Sequence, residues 1–276
     1  MITGVIQKIL DLIPFKLRSK IKDIPLLKQI QHIIVKRFLV NTEFVAKITG
    51  GPAKGLIFPV KLPQDKLMWI GTWELDFANA LQEVVRPGTV CYDIGGYKGY
   101  YAGIMALKGA SQVYVFEPVP SNAKKINKLI ALNPTLPIYL KQYAVSDQEG
   151  TAVFKLMSEE TMGKLSDSQF QSDIKSRDEL KVNCISIDRL IEQGLTPPHF
   201  IKIDVEGAEE LVLKGAKNTL LKYKPLLMIE IHSRDIGKVC MSLLKDFYSD
   251  IRVMETGNAP GNGEAEICHY FAGGQY

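Results

Sequence analysis

The sequence predicts an α/β fold in which a mostly parallel, doubly wound sheet is covered by helices on both faces. Four short apolar runs, "TVCYDIG", "QVYVFEP", "HFIKIDVEG" and "PLLMIEIH", alternate with segments of helical spacing near residues 99–108, 120–132, 207–221 and 235–246. Strands that are apolar along their whole length are typical of parallel sheets buried on both sides. A glycine-rich turn follows the first run, and folds of this class bind ligands at such turns.

The N-terminal part is basic and has helical periodicity. Residues 1–40 contain eight Lys or Arg and two Asp, so their net charge of +6 leaves −2 for the remaining 236 residues. The near-neutral charge of residues 41–276 does not indicate nucleic-acid binding. A basic amphipathic helix either binds an anionic membrane surface or packs its apolar stripe on its own domain. Packing is the favoured interpretation, and membrane-surface contact through residues 1–40 stays open.

The next elements are strands. Residues 44–60, "FVAKITGGPAKGLIFPV", predict a β-hairpin with a Gly and Pro turn. We therefore divide the chain into a basic helical segment with a hairpin, residues 1–70, and a main domain, residues 71–276. The runs "YAVSDQEGTAVFKL" and "LKVNCISIDRL" predict two further strands around a polar stretch, residues 158–178, which is a candidate substrate-facing flap. The C-terminal run predicts a hairpin that closes the sheet with an antiparallel strand.

The expected location is the cytoplasm, with peripheral membrane contact as an addition. The four cysteines have no paired spacing of the kind that zinc sites and redox dithiols use. Charged residues interrupt the N-terminal apolar stretch, and no uncharged run reaches the roughly 20 residues of a membrane span. Nothing in the sequence indicates an oligomeric state.

The glycine turn "DIGGYKG" has the wrong register for a dinucleotide fingerprint, G-x-G-x-x-G. Asp93 stands two residues before its first glycine, and an acid there would repel a pyrophosphate. Glu117 ends the second strand, at the position where an acid accepts the two hydroxyls of an adenosine ribose. Together these acids suit a nucleoside with a cationic tail and no phosphate. S-adenosylmethionine has this chemistry.

These motifs resemble a known family. "DIGGYKGYYAGIMA", "VFEPVPSN", "AVSDQEG" and above all "FIKIDVEGAEELVLKGA" followed by "PLLMIEIH" are similar to the FkbM family of S-adenosylmethionine-dependent methyltransferases, over about residues 70–235. The resemblance implies a class I methyltransferase fold, a seven-stranded sheet with one antiparallel strand, and O-methylation of a hydroxyl on a sugar or natural product.

The resemblance also implies which residues contact the cofactor. Asp93, Gly95 and Gly99 match the family's first motif, and Glu117 matches its ribose-binding acid. Glu74 matches an acid that precedes the first motif. The implied cofactor-binding residues are Glu74, Asp93, Gly95, Gly96, Gly99, Glu117, Pro118, Ser146, Asp147 and Asp204. The family commonly has Ala-Asn where this chain has Gly96-Tyr97, which puts a side-chain contact at residue 97 in doubt.

Three catalytic residues are predicted from the ends of the later strands. An alcohol acceptor has a proton to lose, so a general base helps. His232 is the first choice, because an imidazole titrates near neutral pH. Asp204 and Glu206 are further candidates, and residues two apart on a strand point to the same side. The alternative for all three is capping or support of the helices that follow.

Several alternatives stay open at this stage. Asp204, Glu230 and His232 offer the donor types of a metal site, but no compact ligand motif supports one, so we predict no metal. An N-methyltransferase would need no strong base. A non-catalytic nucleoside-binding protein recruited to membranes by its basic N-terminus is the alternative from another class. The acceptor is expected to be a small hydroxylated molecule, and its identity is not readable.

Overall fold

The computed structural model describes residues 12–21, 42–156, 163–165, 178–261 and 267–273. Its helices are α1 Phe15–Ile21, α2 Lys66–Ile70, α3 Leu75–Val84, α4 Tyr100–Leu107, α5 Pro120–Leu132, α6 Ile187–Glu192, α7 Glu209–Lys214, α8 Lys217–Tyr223 and α9 Arg234–Lys245. Its strands are β1 Glu43–Lys47, β2 Ile57–Lys61, β3 Val90–Ile94, β4 Gln112–Phe116, β5 Ile138–Lys141, β6 Ala144–Val145, β7 Gly150–Leu156, β8 Gly163–Leu165, β9 Asp178–Ile185, β10 Phe200–Ile203, β11 Leu226–Ile231, β12 Ile251–Val253 and β13 Cys268–Ala272. Within these ranges no helix combines the length and apolar character that crossing a bilayer requires.

The central sheet has seven strands in the order β12-β13-β11-β10-β3-β4-β5. Strand β13 runs antiparallel to both of its neighbours, and the other pairings are parallel. The strand order reverses between β3 and β10, which makes their carboxyl ends the switch point of the sheet. The doubly wound sheet with one antiparallel strand is therefore confirmed, and the C-terminal hairpin supplies that strand.

Helices and hairpin bury both faces of this sheet. Alternate residues of β3 point to opposite sides, so Cys91 packs in one core and Tyr92 in the other. The first core also holds helices α3 and α4, and the second holds α8 and α9. This double coverage explains why the sheet strands are apolar along their whole length.

The predicted N-terminal hairpin is present, with β1 and β2 paired antiparallel. Its residues Leu56 and Phe58 are buried in the same core as Tyr100 and Ile104 of α4. Of the predicted helical region 1–40, only the part around α1 lies within the described residues. The division of the chain at residue 70 and the membrane contact of residues 1–40 therefore stay predictions.

The helical segment predicted near residues 207–221 is confirmed, but the structure divides it into two short helices, α7 and α8. A Cβ atom on Gly215, between them, would lie 2.0 Å from the carbonyl oxygen of Ser146. The backbone therefore bends against a neighbouring loop at this point. Asp188 then accepts two N–H groups from the first turn of α8, at 2.8 and 2.9 Å, and caps the new helix.

A second, four-stranded sheet has the order β6-β9-β7-β8. It contains the two further strands that the sequence predicts, and β7 pairs antiparallel with β9 along its whole length. The predicted flap, residues 158–178, lies outside the described residues apart from β8 and the first residue of β9. Its substrate-facing role stays a prediction.

Candidate active site

A cavity of about 330 Å³ lies at the carboxyl ends of β3, β4, β10 and β11. This is the switch point of the sheet, where ligands bind in open α/β folds. Its charged lining is strongly acidic. Among the lining residues that the structure describes, one ammonium, Lys202, faces five carboxylates, which are Glu74, Glu117, Asp204, Glu206 and Glu230.

The turn after β3 requires glycine because of the packing of the protein's own backbone. Gly95 has a φ of +78°, and a Cβ atom there would lie 1.7 Å from the carbonyl oxygen of Asp204. A Cβ atom on Gly96 would lie 2.1 Å from Val115 Cγ1. Both glycines donate their N–H groups to the carbonyl of Phe116, at 3.0 and 3.1 Å. The glycines therefore let β10 and β4 close against the turn.

Tyr97 is a position where the chain departs from the pattern of the FkbM family that it resembles. Its φ of +50° lies in the left-handed region, where Asn is common and a bulky side chain is rare. The Tyr97 ring packs against the core, lines the cavity and lies 4.7 Å from the ammonium of Lys98. Asn therefore suits the backbone at this position, whereas Tyr adds ring contacts to a strained conformation.

We expect Tyr97→Asn to keep the free energy of unfolding within about 1 kcal/mol of the wild type, because relief of left-handed strain offsets the lost ring contacts. Tyr97→Val should lower it by about 1–3 kcal/mol, since a β-branched residue tolerates this conformation poorly. Urea unfolding followed by circular dichroism measures both variants. Equal destabilisation by the two substitutions would mean that the ring contacts, and not the backbone conformation, dominate.

Glu117 directly follows β4 and is a buried carboxylate on the cavity wall. Its Oε2 accepts the N–H of Tyr97 and its Oε1 accepts the N–H of Val119, each at 2.9 Å. Burial raises the pKa of Glu117 to about 7, although these two N–H groups act to lower it. The carboxylate thus ties the glycine turn to the start of α5 and leaves acceptor capacity for a ligand.

Lys202 lies buried beneath the turn and joins it to β10. Its Nζ donates to the carbonyl of Gly95 at 2.9 Å and lies 3.2 Å from Asp93 Oδ1 and 3.3 Å from Asp204 Oδ2. Burial alone would lower the pKa of Lys202, but the two carboxylates outweigh it and raise that pKa above its ordinary value. Burial also raises the pKa of Asp93, against the effect of Lys202. Lys202 therefore pairs with two nearby acids and joins the strand β10 to the glycine turn.

Four carboxylates surround the buried imidazole of His232. Its Nε2 lies 3.7 Å from Asp204 Oδ1, 3.5 Å from Glu206 Oε2 and 3.6 Å from Glu230 Oε1. On the other side of the ring, Nδ1 lies 2.6 Å from Glu209 Oε1. Burial acts to lower the pKa of His232, but the Glu209 hydrogen bond and the carboxylates outweigh it and raise that pKa to about 9.

The loop after β10 holds Glu206 in an uncommon conformation. Its φ is +53°, and strained residues of this kind cluster at functional sites. Gly207, the next residue, donates its N–H to Glu209 Oε1 at 3.0 Å, which fixes the loop to the start of α7. Burial raises the pKa of Glu206 to about 7, against the pull of His232.

Most of the predicted site residues converge on the cavity. Six of the predicted cofactor-binding residues line it: Glu74, Gly95, Gly96, Glu117, Pro118 and Asp204. The predicted catalytic residue Glu206 also lines it, and His232 lies directly behind Glu206 and Asp204. The structure thus brings all three catalytic candidates together.

Four predicted cofactor-binding residues, Asp93, Gly99, Ser146 and Asp147, are not among the residues that line the cavity. Asp93 supports the turn from below through Lys202. Gly99 adopts a φ of +77° at the start of α4, where a left-handed residue is needed. Ser146 is buried, and its Oγ lies 3.2 Å from a carboxylate oxygen of Asp147, which is exposed. Their contacts with a cofactor stay predictions.

Sequence reasoning missed two parts of the site. The carboxylate of Glu209 bonds at the start of its own helix, and it also orients His232. No local pattern indicates the contact between Glu209 and His232, which lie 23 positions apart. Tyr143 and Phe154 reach the cavity from the region of the second sheet, and no local pattern indicates this.

The lining fits S-adenosylmethionine. Three strand spacings separate Glu117 on β4 from Glu230 on β11, about 14 Å in all, so carboxylates stand at both ends of an elongated site. A pyrophosphate would face five carboxylates, whereas a ribose and a cationic tail are matched by them. The one ammonium in the described lining, Lys202, is already engaged by Asp93 and Asp204.

A family model supports the same interpretation. The model of the methyltransferase FkbM domain matches residues 93–255 of the chain, which is more than half of its length. The matched residues run from the first acid of the glycine turn to the residues after β12, so they include the carboxyl ends of all four strands that surround the cavity.

Similar proteins include one curated relative and several solved structures. The hexuronic acid methyltransferase AglP of Haloferax volcanii is 29% identical over 219 residues, which is 75% of this chain and 83% of that protein. The FkbM methyltransferase of Methylobacillus flagellatus aligns with a TM-score of 0.46 at 19% identity, over 71% of this chain and 52% of that one. A putative methyltransferase of Streptococcus mutans, solved in complex with SAH, aligns with a TM-score of 0.43 at 10% identity. The alignment covers 77% of this chain and 98% of that one. On the family match, the chain belongs to the FkbM family of S-adenosylmethionine-dependent methyltransferases.

Proposed function

We propose that the chain methylates a hydroxyl oxygen of a glycosyl acceptor. The observation that carries this proposal is the group of Asp204, Glu206 and His232 beside the cofactor cavity, in which His232 Nε2 lies 3.7 and 3.5 Å from the two carboxylates. An alcohol must lose its proton as it becomes an ether, and a positioned carboxylate such as that of Glu206 can accept it. The sequence favours His232 as the base, but its pKa, raised to about 9, makes the imidazole a poor proton acceptor at neutral pH. An amine acceptor would have less need of this arrangement.

Different residues of the site bind the cofactor and orient the acceptor. Glu117 accepts hydrogen bonds from the two ribose hydroxyls, and Glu74 and Asp204 face the methionine end. When bound, S-adenosylmethionine supplies a methyl group on a positively charged sulfur. The side chains of Tyr143 and Phe154 reach the cavity and exclude water from the acceptor. Holding the acceptor oxygen in line with that sulfur accounts for much of the expected acceleration.

The relative from Haloferax volcanii supports the choice of acceptor. Its printed name describes a methyltransferase of a hexuronic acid, a sugar that carries both hydroxyls and a carboxylate. At 29% identity over 75% of this chain, it favours a glycosyl acceptor here. We therefore take a uronic acid glycoside as the first acceptor to test.

The test is methyl transfer from S-adenosylmethionine to a uronic acid glycoside, with the matched neutral hexose glycoside as the control. Mass spectrometry of the product should show one added methyl group, and that group should resist mild alkali, because an ether is stable where a methyl ester is hydrolysed. An alkali-labile product would place the methyl on the carboxylate and contradict the proposal for a hydroxyl. Turnover of an amine analogue alone would favour the N-methyltransferase.

Cofactor binding should depend on pH through Glu117. Because the pKa of this carboxyl is raised to about 7, the protonated form accumulates as pH falls below 7 and accepts the ribose hydroxyls poorly. We expect the Kd for S-adenosylmethionine to be about tenfold higher at pH 6 than at pH 8. Calorimetry at both pH values measures the change, and Glu117→Gln, which cannot titrate, should lack it. An equal pH dependence in the variant would assign the effect to another group.

A further inference from the structure

Asp204, Glu230 and His232 each direct one ligand atom toward a common point. They follow or end the neighbouring strands β10 and β11, and their ligand atoms all lie within 4.8 Å of one another. His232 Nε2 is 3.7 Å from Asp204 Oδ1 and 3.6 Å from Glu230 Oε1, which is longer than a hydrogen bond. Two ligands that each lie about 2.0–2.6 Å from one cation have separations of this size.

His232 is oriented as a metal-binding imidazole. Metal-bound histidines usually donate their second ring N–H to a carboxylate, which fixes the tautomer and aims the other nitrogen at the ion. His232 Nδ1 makes this contact with Glu209 Oε1 at 2.6 Å, and Glu209 has no exposed surface. The N–H of Gly207 holds the same carboxylate oxygen at 3.0 Å. The imidazole therefore presents Nε2 to Asp204 and Glu230 on a rigid support.

The charge of the site gives an independent reason for a cation. Asp204 and Glu230 are two of the five carboxylates among the described lining residues, and the one ammonium there is paired with Asp93 and Asp204. The first acceptor to test under the proposed function, a uronic acid glycoside, also carries a carboxylate. Like charges within a few ångströms in a partly buried site repel strongly. A bound cation would convert this repulsion into attraction.

We propose that Asp204, Glu230 and His232 bind a divalent cation of the Mg²⁺ or Mn²⁺ class, and that the acceptor's carboxylate and hydroxyl oxygens complete its coordination. This rests on the proposed function for the nature of the acceptor. Two carboxylates suit hard cations, and one imidazole adds affinity for Mn²⁺. Three protein ligands leave positions open toward the cavity, and Glu206, with Oε2 3.5 Å from the same nitrogen, lies close enough to hold a bound water.

The test is direct Mn²⁺ binding by the full chain after chelator treatment and dialysis. Electron paramagnetic resonance of free Mn²⁺ should show about one ion bound per chain, and Mg²⁺ should compete for it. Glu230→Gln should raise the Kd for Mn²⁺ at least tenfold, and the combined Asp204→Asn and Glu230→Gln variant should abolish stoichiometric binding. Glu209→Gln, a change to a positioning residue, should raise the Kd about 10- to 100-fold.

The matched control is Glu210→Gln. Glu210 is in the same turn of α7 as Glu209, but its carboxylate pairs with Lys214. This variant should bind Mn²⁺ as the wild type does. Thermal unfolding shows whether each variant folds. If the combined variant does not fold, the Kd of the Glu230→Gln variant for Mn²⁺ decides the result. No stoichiometric Mn²⁺ binding by the wild type, or binding that survives in the combined variant, would overturn the proposal.

Cofactor binding and methyl transfer separate this inference from the proposed function. Full turnover of the uronic acid glycoside by protein shown to be free of metal would overturn the cation site and leave the function standing. Stoichiometric Mn²⁺ binding that is lost in the variants supports the cation site even if the uronic acid glycoside is never methylated, and that combination would overturn the proposed function alone.

Discussion

Replacing Glu117 with Gln is expected to weaken the binding of S-adenosylmethionine about 100-fold. A hydrogen bond to a charged group contributes about 1.5–3 kcal/mol, and this carboxylate can accept two from the ribose. The substituted amide also turns an NH₂ group toward the N–H of Tyr97 or of Val119, each of which donates to Glu117 at 2.9 Å. A loss of about 2.8 kcal/mol corresponds to 100-fold in Kd. Isothermal titration calorimetry at pH 8 measures it.

The matched control for this prediction is again Glu210→Gln, since Glu210 is an acid outside the cavity lining. Its Kd for the cofactor should equal that of the wild type. Urea unfolding distinguishes a lost contact from a lost fold, because a folded Glu117→Gln variant keeps a cooperative transition. A Kd within about threefold of the wild type in such a variant would remove Glu117 from the ribose site.

The largest effect on stability is expected from Lys202→Met. Removing one partner of a buried ion pair leaves an uncompensated charge and typically costs 3–5 kcal/mol. Here Asp93, which has no exposed surface, would lose the ammonium 3.2 Å away, and the carbonyl of Gly95 would lose its donor at 2.9 Å. We expect the free energy of unfolding to fall by about 3–5 kcal/mol. Urea unfolding at pH 7 measures the change.

Two further variants show whether the buried charge is the cause. Lys214→Met removes an ammonium that pairs with Glu210 on the surface, and it should unfold close to the wild type. Adding Asp93→Asn to Lys202→Met removes the uncompensated carboxylate and should recover part of the lost stability. A single Lys202→Met variant within about 1 kcal/mol of the wild type would contradict the structural role that we assign to this ion pair.

Much of the fold was predictable because its signals are local. The strands β3, β4, β10 and β11 are short, largely apolar runs, and each has a glycine, a proline or an acid directly next to it in the chain. The glycine turn and Glu117 belong to this group, since both directly follow strands. The break in the helical segment near residues 207–221 was not predictable, for the opposite reason. Gly215 lies against Ser146, about 70 residues away, and helical periodicity does not record such a contact.

The candidate site was predictable in its residue types and not in its connections. The sequence shows acids and a histidine at the ends of β10 and β11, and it names Asp204, Glu206 and His232 as candidates. It does not show that Glu209 buries its carboxylate against the imidazole, because a helix-start acid has a sufficient local role. The αL conformation of Tyr97 likewise explains the family's Asn only once the backbone is known.

By itself the sequence determined the doubly wound sheet and indicated a cationic, phosphate-free nucleoside as cofactor, because each strand, and the glycine or acid that follows it, is a local feature of the chain. Only the tertiary structure decided which charges meet. Lys202 contacts Gly95 across 107 positions, and His232 contacts Glu209 across 23. Coulomb energies depend on distances in space and on burial, both of which arise when the parallel strands align. The cluster that could hold a cation is therefore a property of the folded chain.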